Sequence, residues 1–104
     1  MVGLDSFDPK LLRRLDLNKL VVFIAVYRSR SASAAAAMLG VSQPAISNTL
    51  RDLRAFFADD LFLRRGKRLH ATPHAHKIAI ILEPSLCILG DVFSQFAANT
   101  FQES

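Results

Sequence analysis

The stretch that decides the fold is residues 33–57, SAAAAMLGVSQPAISNTLRDLRAFF. Ser33 is predicted to cap a short helix over residues 34–39, where four consecutive alanines strongly favour helix. Gly40 follows at the position where a left-handed residue commonly ends a helix, and a three-residue turn is complete by Ser42. The first part of the stretch therefore predicts a short helix followed by a tight turn.

A second, longer helix is predicted over residues 43–57. Ser42 caps it, and Pro44 lies in its first turn, where a missing N–H group costs little. The predicted buried stripe of this helix consists of Ala45, Ile46, Leu50, Leu53 and Phe57. A short helix, a tight turn and a longer helix together indicate a helix-turn-helix, whose second helix enters the major groove of DNA.

The other face of this second helix offers groups that can bind base edges. Its first turns have amide and hydroxyl side chains on Gln43, Ser47 and Asn48. Gln and Asn can form two hydrogen bonds to adenine, and Ser can pair with several bases. Arg51 and Arg54 lie one and two turns further on and are predicted to reach phosphates. The alternative is that Gln43 and Ser47 only cap the helix or face solvent.

Two short runs around a glycine, residues 61–64 and 68–70, predict a β-hairpin after the helix-turn-helix. Its tip holds the densest basic cluster in the chain, which consists of Arg64, Arg65, Lys67 and Arg68. Gly66 lets the strands reverse tightly, so the flanking cations project into a groove or onto phosphates. Beside a helix-turn-helix, this hairpin is predicted to be a wing that contacts DNA; the alternative is a solvated run of charge.

Helices are also predicted before the helix-turn-helix. Asp8 and Pro9 indicate one short turn through Arg14. Asp16 then caps an amphipathic helix over residues 17–29. Its apolar residues recur at spacings of three and four, at Leu17, Leu20, Val21, Ile24 and Tyr27, with Phe23 beside them.

Thr72 and Pro73 predict the start of a last helix that runs to about residue 98. Its apolar positions follow a heptad pattern, which indicates a dimer interface made of Ala75, Ala79, Leu82, Leu86, Leu89, Phe93 and Phe96. Pro84 removes one backbone hydrogen bond and is expected to kink or divide this helix.

Length, composition and charge agree with a small nucleic-acid-binding domain. The 104 residues suit one domain, and their content of 51% hydrophobic and 21% charged residues is globular. Residues 1–77 hold all 13 Lys and Arg but only six acids, whereas residues 78–104 hold three acids and no base. The basic part is a candidate polyanion binder, although a basic surface can also serve only solubility. No run approaches about 18 apolar residues, so no membrane partner is expected.

Other kinds of site are not predicted. His70, His74 and His76 cannot share one helix face, and no Cys or carboxylate joins them nearby, so we expect no metal. The one cysteine, Cys87, excludes an internal disulfide framework and is predicted to be a small apolar core residue in a helix. Because no catalytic constellation is present, we expect neither an enzyme nor a cofactor.

Residues of about 16–97 resemble the N-terminal part of LysR-type transcriptional regulators. The matching stretches are Asp16 to Val26 (DLNKLVVFIAV), Ser31 to Leu39 (SASAAAAML), Val41 to Ser47 (VSQPAIS), Leu50 to Leu53 (LRDL), Leu61 to Arg64 (LFLR) and Ala71 to Ala75 (ATPHA). The resemblance implies a mainly helical winged helix-turn-helix, with a three-helix core and a hairpin wing, followed by a long linker helix that dimerises. It also implies a regulatory domain for a small-molecule inducer, which we do not expect within these 104 residues.

The resemblance also implies site residues. Base contacts fall on Gln43, Pro44 and Ser47, while Asn48 replaces a frequent arginine. The minor-groove contact of the wing falls near Lys67, with Arg64 on the adjacent strand, and a phosphate contact falls near Ser33. Arg54 departs from the family, which usually has an acid there.

We therefore expect an N-terminal extension over residues 1–14, a winged helix-turn-helix over 15–72, and a dimerisation helix with its tail over 73–104. The predicted function is sequence-specific binding of double-stranded DNA, as a homodimer on a pseudo-palindromic operator. The expected location is the bacterial cytoplasm, on the nucleoid. The alternative is a protein-interaction module, or an antagonist of a full-length regulator, that acts through the apolar last helix.

Overall fold

A computed structural model describes residues 7–98 as helices and one two-stranded antiparallel sheet. The elements follow in the order α1 (Pro9–Arg14), α2 (Leu17–Ser29), α3 (Ala32–Leu39), α4 (Gln43–Phe57), β1 (Phe62–Arg65), β2 (Arg68–Ala71) and α5 (Pro73–Phe96). The predicted winged helix-turn-helix with a long last helix is confirmed. The predicted tail beyond residue 98 lies outside the described residues.

Each helix begins at a side chain that accepts a hydrogen bond from the first turn. Asp8, Asp16, Ser42 and Thr72 do so at the predicted positions. The prediction for α3 was wrong by two residues: Ser31 is the cap, with its Oγ 3.1 Å from the N–H donor of Ala34.

The end of α2 explains why α3 starts at Ser31. Arg30 closes α2 in a left-handed conformation with φ 58°, and its N–H donates to the carbonyl of Val26. The extended backbone needed for a cap therefore falls on Ser31, and Ser33 lies inside the first turn of α3. Both serines have a side chain that can cap a helix, so the left-handed backbone at Arg30 determines which of them does.

The core lies where α2, α3 and α4 pack together, with the wing closing one side. Phe23, Val26, Ile46 and Leu61 are its largest fully buried side chains. Burying each such side chain stabilises the fold by about 1.5–3 kcal/mol relative to exposure. Of the alanine run in α3, two members face this core without adding bulk, so neighbouring helices approach closely.

The buried stripes differ in part from the predicted ones. On α2, Leu17 and Val21 are 46% and 37% exposed, whereas Phe23 and Val26 are fully buried. Spacings of three and four identify an apolar side of a helix but not which part of it a neighbour covers. Packing against α3 and α4 covers the Phe23 side. On α4, Ala45 is exposed, although the other four predicted residues are buried or half-buried.

The wing is a tight hairpin with a two-residue turn between Arg65 and Arg68. Gly66 has φ 63° and Lys67 does not have a positive φ, as a type II′ turn requires. The N–H of Leu69 donates to the carbonyl of Arg30 at 3.0 Å, which joins the wing to the link between α2 and α3. The wing is therefore held beside the start of α3.

The last helix runs without division from Pro73 to Phe96, so of the two outcomes predicted for Pro84, a kink or a division, the division does not occur. The proline lies on an exposed surface, where water can satisfy the freed carbonyl. Ala75 and Ala79 are fully buried against the domain, and their predicted place in a dimer interface is corrected accordingly. Because both side chains are buried within their own chain, they cannot contact a partner. Cys87, further along the same helix, is exposed, so its predicted place in the core was wrong.

Candidate nucleic-acid interface

The first half of α4 presents polar side chains to solvent. Gln43, Pro44, Ser47, Asn48 and Arg51 are all exposed. The opposite side of the helix holds Ile46, Leu50 and Leu53 in the core. The burial of these three side chains therefore determines which face of α4 is exposed to solvent. The amide and hydroxyl groups singled out from the sequence are therefore accessible to a ligand.

Three elements meet in a polar cleft of about 100 Å³ beside these residues. It lies between the start of α3, the start of α4 and the wing, and its lining residues are Ser31, Ala32, Ser33, Gln43, Arg64, Lys67 and Leu69. Four predicted site residues thus come together from three separate stretches of sequence. Two cations stand next to a helix N-terminus, a setting that favours phosphate oxygens.

Ser31 is a lining residue that the sequence reasoning missed. Its Oγ caps α3 and also lies 3.1 Å from the Oγ of Ser33, so the two hydroxyls are neighbours at the edge of the cleft. Ser31 lies three residues before Ala34, which is the usual spacing between a capping side chain and the N–H that it accepts from. This spacing could have identified Ser31 as the cap, but the prediction placed the cap at Ser33.

The four cations of the wing divide between its two faces. Arg64 pairs with the buried Leu69 and, with Lys67, lines the cleft. Arg65 pairs with Arg68 on the opposite face, since neighbouring residues of a strand point to opposite sides. The sequence placed all four cations in one cluster, and only the strand register separates them.

Arg54 makes a contact within the chain that the sequence analysis did not predict. Its Nε–H donates to the carbonyl of Asp60 at 3.0 Å, in the loop between α4 and β1. This contact fastens the end of α4 to the base of the wing. The phosphate contact predicted for Arg54 stays a prediction beside this structural contact.

The one carboxylate of α4 is neutralised by an ion pair. Asp52 lies 2.9 Å from the Nζ of Lys19 on α2. The hydrogen bond between them raises the pKa of Lys19 and lowers the pKa of Asp52. Arg51 and the cleft cations therefore face little opposing charge from α4 itself.

The three histidines have separate surroundings. The Nδ1 of His76 lies 2.7 Å from the hydroxyl of Tyr27, and His74 packs edge-on against Phe57. Within residues 7–98, no group of three His, Cys, Asp or Glu side chains is placed to hold a metal ion. His76 instead helps to join α5 to α2, as does the ion pair between Arg28 and Glu83.

Comparison with known proteins identifies this combination of helix-turn-helix and wing. The model of the lysR family of bacterial regulatory helix-turn-helix proteins matches residues 17–76. The transcriptional activator NagR of a Ralstonia species is 52% identical over 91 residues, which make up 88% of this chain and 26% of NagR. The chain thus spans about a quarter of the length of the curated relatives it matches.

Solved structures agree with this match. A probable transcriptional regulator from Pseudomonas aeruginosa superposes with a TM-score of 0.79 at 42% identity, over 84% of this chain and 29% of that one. The DNA-binding domain of CbnR, solved in complex with DNA, superposes with a TM-score of 0.70 at 27% identity, over 78% of this chain and 93% of that one. The chain therefore belongs to the LysR family of bacterial regulatory helix-turn-helix proteins and contains its DNA-binding domain.

Proposed function

We propose that this domain binds double-stranded DNA in a sequence-specific manner, as part of a transcription regulator. The first half of α4 lies in the major groove, where Gln43 and Ser47 contact base edges and Asn48 and Arg51 lie beside them. The wing contacts the backbone or the minor groove next to it. The complex of the CbnR domain with DNA supports duplex DNA as the partner.

The observation that carries this proposal is the convergence of base-reading and phosphate-binding groups in one cleft. Gln43 and Ser33 approach it from two helices, and Arg64 and Lys67 approach it from the wing. A recognition helix needs phosphate contacts that fix its register in the groove. Here those contacts lie directly beside the first turn of α4, where the base contacts are proposed.

The second half of α5 is the proposed dimer interface. Leu89, Phe93 and Phe96 follow one heptad pattern, which is typical of residues covered by a partner helix. Within the single chain they are 39%, 61% and 76% exposed. Together with the half-buried Leu82 and Leu86, they form an apolar seam, and two copies joined along it would present two recognition helices to a pseudo-palindromic site. The two predicted interface alanines are not part of this seam.

A membrane is the other environment that would cover such a helix. α5 has 24 residues and is long and apolar enough to cross a membrane by length and composition, which for one helix is weak support. Its first turns belong to the domain core, because Ala75 and Ala79 are fully buried. We therefore propose a second copy as the partner of its second half, in the bacterial cytoplasm on the nucleoid. We propose no inducer for residues 1–104.

The test is selection followed by comparison of affinities. Bound duplexes are first selected from a random pool, and the affinity of the chain for the selected duplex is then compared with that for a scrambled duplex. Replacing Gln43 by alanine is expected to weaken specific binding by about 1–3 kcal/mol and to leave binding to the scrambled duplex unchanged. Gln95→Ala, an exposed change on α5, is the matched control.

Two results would contradict the proposal. Equal loss on the selected and scrambled duplexes would exclude base contact by Gln43. Selection that recovers no preferred sequence, or no bound duplex at all, would favour the alternative of a protein-interaction module that acts through the apolar seam of α5.

A further inference from the structure

A larger cavity lies apart from the cleft, beside the strand β2. It has a volume of about 590 Å³ and opens between the end of α2, β2 and the start of α5. This volume falls within the roughly 300–1,000 Å³ that is usual for small-molecule sites. The cavity shares only Leu69 with the cleft beside α4, so it is a separate candidate site.

The lining of this cavity is basic. Arg28 and Arg30 come from the end of α2 and the residue that follows it, and His70 and His76 come from β2 and α5. Among residues 7–98, no Asp or Glu lines the cavity. Arg28 is paired with Glu83, but the ion pairs within the same residues do not include Arg30. The guanidinium group of Arg30 is therefore available to an anion.

Arg30 stands where glycine would be less strained. It ends α2 in a left-handed conformation with φ 58°, a position that glycine commonly takes. Its backbone bonds to Val26 and Leu69, but its exposed side chain has no hydrogen-bond partner within residues 7–98. Strained residues of this kind cluster at ligand sites. The fold of the described residues therefore uses the backbone of Arg30 and leaves its side chain to a ligand.

The edge of β2 adds a backbone donor to the same cavity. The N–H of Thr72 donates to the carbonyl of Leu61 at 2.8 Å, and bonded pairs alternate with non-bonded pairs along an antiparallel ladder. Ala71 is therefore in a non-bonded pair, and its N–H points away from β1. Leu69 points the same way, and its N–H donates to the carbonyl of Arg30 at 3.0 Å. The N–H of Ala71 has no such acceptor within residues 7–98.

Most of the remaining lining is apolar. Phe62, Leu69 and Pro73 contribute to it, together with the ring of Tyr27. The hydroxyl of Tyr27 already lies 2.7 Å from the Nδ1 of His76, so these two groups satisfy each other. Apolar walls with a few placed polar groups are typical of sites that orient a small ligand. The cavity therefore suits a ligand with an apolar body and one anionic end.

We propose that this cavity binds a small carboxylate with an apolar body. The carboxylate accepts hydrogen bonds from the guanidinium of Arg30 and from the N–H of Ala71, since arginine pairs with carboxylates through two parallel bonds. The apolar body lies against Phe62 and Pro73. Bound there, the ligand joins α2, β2 and α5. The proposal does not depend on DNA binding and gives the ligand no effect on it.

The experiment titrates the 104-residue chain with three probes of equal chain length, octanoate, octanol and octylammonium, and follows the backbone amides by NMR. Octanoate is expected to shift the amides of Arg30, Leu69 and Ala71 in a saturable manner. It should bind about tenfold more tightly than octanol, because hydrogen bonds to a charged group are stronger than those to a neutral one. Octylammonium should give no saturable shift there, because Arg30 repels its charge.

Variants of Arg30 separate binding from stability. Arg30→Gly removes the guanidinium and relieves the left-handed strain. It is expected to weaken octanoate binding about tenfold, while its thermal unfolding midpoint is at least as high as that of wild type. Arg30→Lys keeps the charge but loses the two parallel bonds, so its affinity should lie between the two. Arg13→Gln, at an exposed position on α1, is the matched control and should bind octanoate as wild type does.

Three outcomes would overturn the proposal. Octanoate may give no saturable shift at the cavity, or Arg30→Gly may bind it as tightly as wild type does. Equal binding of octanoate and octanol, or shifts confined to the apolar seam of α5, would show apolar binding only. None of these measurements includes DNA, so failure here leaves the proposed function standing, and failure to bind a duplex leaves this inference standing.

Discussion

The hydroxyl of Thr72 donates a hydrogen bond to the carboxylate of Asp59 at 2.7 Å, and so joins the base of the wing to the start of the last helix. The same hydroxyl accepts from the N–H of Ala75 and caps α5. Asp59 also accepts from the N–H of Leu61, which is fully buried in a left-handed conformation with φ 65°. Such a backbone costs a non-glycine residue roughly 1–2 kcal/mol, which these contacts offset.

The contacts of Asp59 predict an acid-dependent stability. The hydrogen bonds from Thr72 and Leu61 lower the pKa of Asp59 below its usual value. The folded state therefore favours the ionised carboxylate, and this stabilisation is complete above the unfolded-state pKa of about 3.9 and lost as the pH falls through the folded-state pKa.

Asp59→Asn is expected to lower the free energy of unfolding at pH 6 and to lose its difference from wild type as the pH falls below about 4. Urea unfolding across this range measures the effect. Asp91→Asn, at an exposed position on α5, is the control and should leave stability unchanged at pH 6. A constant difference between Asp59→Asn and wild type at all pH values would contradict the assignment.

Ala58→Gly is expected to stabilise the domain. Ala58 ends α4 in a left-handed conformation with φ 53°, and its side chain is exposed. Removing the strain gains roughly 1–2 kcal/mol, and the greater freedom of glycine in the unfolded chain costs roughly 0.5–1 kcal/mol. Thermal unfolding should show a higher midpoint, whereas Ala55→Gly, inside the exposed face of α4, should lower it.

The cap of α3 can be tested with a matched pair of serine variants. Ser31→Ala removes the hydroxyl that accepts from Ala34 and is expected to cost about 0.5–2 kcal/mol of stability. Ser33→Ala, two residues on at an exposed position, should change stability by less than about 0.5 kcal/mol. Denaturant unfolding of both variants decides between the two caps, and a larger effect at Ser33 would reject Ser31.

Lys67→Ala is expected to reduce the salt dependence of DNA binding. Lys67 lines the cleft beside Ser33 and Gln43, where the proposed phosphate contact lies. Loss of one phosphate contact lowers the slope of log affinity against log salt by about 0.9. Titrations at several salt concentrations measure this slope. The control Lys77→Ala, which changes an exposed lysine on α5, should leave the slope unchanged. Equal slopes for the wild type, Lys67→Ala and Lys77→Ala would mean that Lys67 does not contact phosphate.

Leu89→Glu is expected to separate the proposed dimer. Leu89 belongs to the apolar seam of α5 and also lines a groove with Leu12 and Leu17. A charge placed in a covered apolar seam is costly to bury, so association should be lost while the domain stays folded. Sedimentation equilibrium gives the mass. The control Gln95→Glu, on the same helix but off the seam, should keep the mass of a dimer. A monomeric wild-type chain would contradict the dimer proposal.

Much of the fold could be predicted from sequence because its signals are local. The boundaries of α4 follow from Ser42, Pro44 and the apolar spacing after them, all within a few turns of helix. The hairpin follows from Gly66 between two short runs, since a two-residue turn that begins with a left-handed residue suits glycine. Caps and turns depend on residues only two to four positions apart.

Tertiary packing decided the rest, because burial and orientation depend on elements that are distant in sequence. The end of α2 selected Ser31 over Ser33 as a cap, and contact with the domain turned Ala75 and Ala79 inward. The candidate site shows the same division. Its amides, hydroxyls and cations were visible in the sequence, but the strand register alone placed Arg64 toward the cleft and Arg65 away from it, because side chains alternate across a strand.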